Sequence, residues 1–315
     1  VSVRTKEPEL DPAAARPGAA PRRSSRWLTG GAGILVAACL WGTTGTVRTF
    51  VPEASSVSVA AVRIVMGGLV LVAFAALTAR PGLVRLLRSR RDRPLVVLGA
   101  MAITVYQTVF FVAAARTGVA IGTVVTIGSA PAFAGLLGLI ARRSPLDRRW
   151  TLATGGAVVG CTALVLGGAD AGVEPVGIGL ALLSGLAYAL YATVTSVLID
   201  RGRQDRAVVG TLFGMAGVLL LPVLLAGSPG WLLQGSGAAI ALYLGVVTTA
   251  GGYVLFARGL RVTPATTATT LTLAEPAVAA VLGVALLGER LGGVALGGLA
   301  LLAASLLALV LPARR

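Results

Sequence analysis

The chain has 315 residues, 56% hydrophobic and 12% charged, with mean hydropathy +0.88 and a formal net charge of +15. Soluble domains carry about 25% charged residues, so an ordinary soluble domain is excluded. The absence of histidine excludes His-ligated metals, His proton relays and a serine-protease triad. Nor does the excess of arginine indicate nucleic acid. It clusters in short segments between apolar runs, where anionic lipid headgroups and the membrane-orientation rule place it.

Residues 1–29 are rich in Pro, Ala and Arg and lack apolar periodicity, which predicts a disordered cytoplasmic tail. Arg22-Arg23-Ser24-Ser25 is like an export signal, but the following apolar run is too long for a signal h-region and predicts a retained membrane helix. Ten apolar runs then follow at about 30–51, 56–79, 94–115, 118–141, 149–168, 176–199, 207–226, 237–257, 263–287 and 291–312. Each is long enough to cross a bilayer as a helix, and none alternates as a membrane β-strand does. The expected fold is all-α and polytopic. Cys39 and Cys161 lie inside apolar runs without metal-ligand spacing and read as small apolar fillers. No metal or cofactor is expected.

Arginine and lysine alternate between loops. The tail and the 2–3, 4–5, 6–7 and 8–9 connections with the C-terminus carry 23, against Arg116 and Arg290 alone on the other side. This bias places both termini in the cytoplasm of a multi-pass protein of the cytoplasmic membrane, its basic face against anionic lipids.

The pattern P-A-x-A-x-x-L-G occurs twice, from Pro131 and from Pro276, 145 residues apart. The same shift superposes Phe111 on Phe256 and Arg116 on Arg261 without gaps. One unit, 30–168, is therefore five helices and the other is 176–312. Five is odd, so the second unit enters the membrane from the opposite face, giving two inverted five-helix repeats of the kind secondary transporters use.

Four features carry a family resemblance: Trp41-Gly42 followed by Arg48; Arg63 early in the second span; Glu275-Pro276 followed by Gly283; and Leu287-Gly288-Glu289-Arg290-Leu291 closing the ninth. On these the chain resembles the drug/metabolite transporter superfamily, the EamA-type ten-helix transporters. Arg142-Arg143-Ser144 departs from the pattern where a Gly-Glu pair is expected. The resemblance implies a central cavity lined from both repeats and export of metabolites or drugs, not an enzyme.

Glu275 lies about halfway through the ninth run, where an ionisable group is costly and usually functional. It reads as a proton-coupling site, an anchor for a substrate ammonium, or a partner for an intramembrane arginine. Pro276 and Pro131 each remove a helix hydrogen bond and read as hinges or as inert kinks. Arg63 lies deep enough to bind a substrate carboxylate or to pair with Glu275, whereas Arg48 is close enough to a span end to snorkel. Trp41, Tyr106, Gln107, Tyr188, Tyr191 and Tyr253 are mid-span groups that could line a polar path or tie helices together. An acid and a base in one cavity suit a zwitterion such as an amino acid. The alternative is a cationic or lipophilic toxic compound held by Glu275. No P-loop is present, so energy is expected from a gradient; the sequence gives no oligomeric state.

Overall fold

The computed structural model describes residues 23–142, 146–166, 174–227, 229–287 and 290–311. Most of the expected tail, the Arg143–Ser144 departure, Asp170 and the Gly288–Glu289 pair lie outside the described residues.

Among the described residues ten helices are long and apolar enough to cross a membrane. They are α1 (Arg23–Arg48), α2 (Ser56–Thr78), α3 (Arg93–Thr117), α4 (Val119–Arg142), α5 (Arg148–Leu166), α6 (Pro175–Asp200), α7 (Asp205–Ala226), α8 (Gly237–Leu260), α9 and α10 (Gly293–Val310). α9 is broken into Ala265–Leu271 and Ala274–Leu287. A short amphipathic helix, Arg80–Arg88, follows α2, with Leu86 buried and Arg80, Arg85 and Arg88 exposed. Leu69 and Leu77 on α2 are among many large apolar side chains left exposed, as expected of helices solvated by lipid.

The second half repeats the first. α3, α4 and α5 begin at residues 93, 119 and 148, and α8, α9 and α10 at 237, 265 and 293. The packing repeats too. Exchanging each helix for its counterpart turns α3/α6 into α8/α1, α4/α6 into α9/α1 and α2/α8 into α7/α3, while α2/α7 and α5/α10 map onto themselves. With five crossings per repeat, the two are inverted. The α5/α10 crossing is backbone on backbone: a Cβ on Gly160 would lie 2.6 Å from Leu302 N, so only glycine permits it.

One face carries the α2–α3, α4–α5, α6–α7 and α8–α9 connections and most of the arginines; it is called here the arginine-rich face. On it a clasp joins the repeats. Asp92, 1% exposed, accepts hydrogen bonds from Ser89 Oγ (2.8 Å), Arg201 Nη1 (3.1 Å) and Arg203 Nε (2.8 Å). Burial works against its ionised form, but the bonds from Ser89, Arg201 and Arg203, with the Arg203 charge, outweigh it and hold the carboxyl below its usual range. On the opposite face Trp231 Nε1 donates to Ser58 Oγ at 2.9 Å, within a cluster of Val51, Val59, Val62 and Leu244. The clasps stand at corresponding ends of the repeats but differ in make-up, since a 145 shift carries Asp92 onto Gly237 and Leu86 onto Trp231. Arg203 and Ser58 stand 145 residues apart, and the Asp92 N to Ser89 O bond (3.2 Å) recurs as Gly237 N to Gln234 O (2.8 Å).

Candidate transport cavity

A cavity of about 430 Å³ lies between α1, α2, α3, α4, α8 and α9. Gly45 on α1 and Thr49 and Pro52 beyond it line its mouth and are exposed, so it opens towards the arginine-poor face. Its α1 wall is Trp41, Thr44, Gly45 and Arg48, the i, i+3, i+4, i+7 spacing of one helix face. Its α3 wall is Tyr106, Gln107, Phe110 and Phe111, and α9 supplies Glu275, Pro276 and Ala279.

Two charges reach deep into this space. Arg63 on α2 is 9% exposed, and its Nε donates to Thr249 Oγ1 at 3.3 Å. Glu275 opens the second segment of α9 and is half-buried on the cavity wall. The two form no ion pair with each other, unlike Arg116 with Glu174 and Asp92 with Arg201 and Arg203. The Arg63 guanidinium and the Glu275 carboxyl therefore face one open space, each with hydrogen-bonding capacity to spare. Gln107, 2% exposed, places its side-chain amide on the cavity wall beside the Tyr253 hydroxyl.

The α8 wall depends on an element the hydropathy pattern does not reveal. Over Tyr243–Gly251 the helix is wound as a π-helix, which shifts carbonyls out of their α register. The Thr248 carbonyl thereby accepts a hydrogen bond from Trp41 Nε1 (2.9 Å), and Thr249 Oγ1 bonds the Leu244 carbonyl (2.8 Å) while receiving Arg63. Trp41 also packs on Tyr253, ring centroids 4.7 Å apart. Gly252 makes room for it: a Cβ there would lie 2.6 Å from Trp41 Nε1.

Of the sequence-selected residues, Trp41, Arg63, Tyr106, Gln107, Tyr253, Glu275 and Pro276 come together on this wall. Tyr188 and Tyr191 do not. They are 3% and 0% exposed and form an aromatic floor beneath the cavity with Phe213 and Phe256. Tyr106 stacks on that floor, 5.2 Å from Tyr188. The two prolines differ. α4 runs unbroken through Pro131, with Thr126 Oγ1 bonded across to the Ala181 carbonyl of α6. α9 breaks just ahead of Pro276, where the freed Thr272 carbonyl takes a tighter bond from Glu275 N (3.0 Å). Thr44, Phe110, Thr123 and Ala279 also line the cavity; their helical spacing from Trp41, Tyr106, Ile127 and Glu275 could have found them.

A larger cleft, about 610 Å³, lies between α2, α3, α7 and the short helix, with lining residues such as Leu69, Val97, Met101 and Val218 exposed at the lipid-facing surface. It offers no charged group to read a solute. Among the described residues no cluster could hold a metal ion.

A two-repeat helical bundle with a charged, half-open cavity at its centre is the form of a membrane transporter. The EamA-like transporter family model matches residues 28–166 and 175–311, and the chain belongs to that family. It is 36% identical over 253 residues to the uncharacterized transporter YwfM of Bacillus subtilis, covering 80% of this chain and 83% of that one. It is 26% identical over 259 residues to the uncharacterized inner membrane transporter YicL of Salmonella typhimurium, covering 80% and 85%. A solved crystal structure at 19% identity shares the fold, with a TM-score of 0.75 over 91% of this chain and 96% of that one.

Proposed function

We propose that the protein is a secondary exporter of small zwitterionic metabolites, amino acids or close relatives, in the cytoplasmic membrane. The observation that carries this reading is that Arg63 and Glu275 line one cavity without an ion pair between them. A buried charge left without a partner is costly, and a zwitterion supplies both partners at once. Its carboxylate meets the Arg63 guanidinium, its ammonium meets Glu275, and its side chain lies against Phe110, Phe111 and Trp41. Both termini lie in the cytoplasm, because the arginine-rich face is the cytoplasmic one. The cavity then faces outward, the side to which an exporter releases. Glu275 is also the proton-coupling group: protonation removes the charge that holds the ammonium, and Pro276 with the break in α9 lets that segment move.

The rival reading is export of cationic or lipophilic toxic compounds held by Glu275 alone, with Arg63 a structural group. Overexpression separates the two. The zwitterion reading expects greater excretion of particular amino acids with unchanged resistance to cationic toxicants. Raised resistance with unchanged excretion would reverse that conclusion.

A further inference from the structure

The larger cleft, about 610 Å³, has a shape and an end of its own. α7 packs closely on both α2 and α3, whereas α2 and α3 touch little, so the space between them is a groove floored by α7. Gly210, Gly214 and Gly217 make the floor. They let α7 sit close beneath α2: a Cβ on Gly210 would lie 2.9 Å from the Leu71 carbonyl oxygen. The side chains on the walls are apolar, Thr211 excepted. The groove is open to the side, with Val218 71% and Met101 46% exposed.

Length and charge say what fits. Along α7 the lining runs from Gly210 to Leu221, about 16 Å at 1.5 Å per residue. One leaflet of a bilayer holds about 15 Å of hydrocarbon. At the arginine-rich face the groove ends against the short helix Arg80–Arg88, which contributes Leu83 and Leu87 to the lining. Leu83, Leu86 and Leu87 share one face of that helix, at i, i+3 and i+4, and Arg80, Arg85 and Arg88 are exposed. Such a helix lies in the membrane interface, leucines towards the acyl chains and arginines among the headgroups. The element that closes the groove therefore also supplies its positive charge. At the arginine-poor face the short helix Pro229–Leu233 carries no charge, so an anion is favoured at one end only.

We propose that the groove is a binding site for one anionic phospholipid of the leaflet at the arginine-rich face. An acyl chain lies along α7 between α2 and α3, and the arginines of the short helix hold the phosphate, which guanidinium groups can grip through two hydrogen bonds each. A basic surface attracts anionic lipid in general; the groove adds one place where a chain leaves the bulk. The site also bears on the transport cavity, because the two spaces share helices. α2 gives Arg63 to the cavity and Val65 and Leu69 to the groove, and α3 gives Tyr106 to the one and Met101 to the other. A chain in the groove keeps α2 and α3 apart and steadies the cavity between them.

The probe is a tryptophan quenched by phospholipids brominated along their chains. Met101→Trp and, independently, Val218→Trp report on the groove. Leu301→Trp, at a similar depth on the exposed side of α10, reports on bulk lipid. Each is reconstituted with phosphatidylcholine and phosphatidylglycerol of matched chains, only one of them brominated, and the signal of the native tryptophans is subtracted. One arginine near the membrane surface favours an anionic lipid by about 5-fold. Both groove reporters should therefore show a preference for phosphatidylglycerol of about 5-fold or more over that at Leu301→Trp. Arg80→Gln, Arg85→Gln and Arg88→Gln together, all on exposed side chains, should bring the groove preference down to the Leu301→Trp value. Equal quenching by the two lipids in the groove means bulk lipid only and overturns the proposal, as does a preference that survives the arginine changes. So does the absence of quenching by either lipid there, with Met101→Cys joining two copies of the chain as the sign that a second copy is the occupant. None of these outcomes bears on the transport reading, which flux decides.

Discussion

Removing the Asp92 carboxylate tests what the two clasps do. Asp92 is buried and accepts from two arginines and a serine. A charged hydrogen bond contributes about 1.5–3 kcal/mol. The Arg201 and Arg203 side chains are 38% and 29% exposed, so water takes up much of what they lose, and each pair falls nearer ~1 kcal/mol. With the Ser89 bond, Asp92→Ala should cost about 2–3 kcal/mol. In detergent this should lower the apparent unfolding temperature by roughly 5 °C. Arg203→Ala should cost less, and the double variant less than the sum of the two, because they share one cluster. The conformational balance should not move. The Trp231–Ser58 clasp is closed on the very face to which the cavity opens, so a side-chain clasp between the repeats need not shut the cavity. Joining Ser89→Cys to Arg203→Cys with a short thiol-cleavable bifunctional crosslinker should therefore leave flux intact. Loss of flux on crosslinking, restored by reductive cleavage, would refute the reasoning and make the clasp a gate.

Other outcomes follow from the same geometry. The Asp92 carboxyl is held below its usual range, so its contribution is complete at neutral pH and is lost as pH falls through that depressed value. Stability measured from pH 7 downward should show a drop below pH ~4 that Asp92→Ala lacks. Arg63→Gln should weaken binding of carboxylate-bearing solutes by roughly 10- to 100-fold, read as a competition constant in vesicles, while leaving the protein folded. Glu275→Gln should slow uphill transport and flatten its pH dependence; full transport with an unchanged pH profile defeats the coupling role. Gly252→Val should expel the Trp41 indole from its bond to Thr248, costing about 1–3 kcal/mol of stability, visible as altered Trp fluorescence.

Hydropathy and arginine placement made the ten spans legible, because crossing a bilayer and choosing an orientation are properties of composition. The 145-residue shift made the repeat legible, and the starts of α3–α5 against α8–α10 reproduce it to within a residue, whereas α2 and α7 start 149 apart. Glu275 and Arg63 stood out because charge inside a span is rare. The π-helical stretch of α8 did not, since Tyr243–Gly251 has no composition that separates it from an ordinary helix. Trp41 and Arg63 reach into it from other helices, contacts that no local sequence pattern announces. Tyr188 and Tyr191 share a helix face in sequence, but packing against Phe213 and Phe256 decides where that face points. The matched prolines look alike in sequence and fold differently. α4 is tied to α6 through Thr126, whereas α9 carries Thr269, Thr270 and Thr272, whose hydroxyls bond back to their own helix, an arrangement that bends helices.

Counterflow in proteoliposomes tests the central claim most directly. Labelled zwitterionic amino acids are offered beside analogues of the same size that carry only the ammonium or only the carboxylate. The unsubstituted protein should exchange zwitterions well and either analogue poorly, and Arg63→Gln should improve the standing of the ammonium-only compound relative to the zwitterion. Equal exchange of zwitterion and ammonium-only analogue, unchanged by Arg63→Gln, would contradict an acid and a base acting together on one solute.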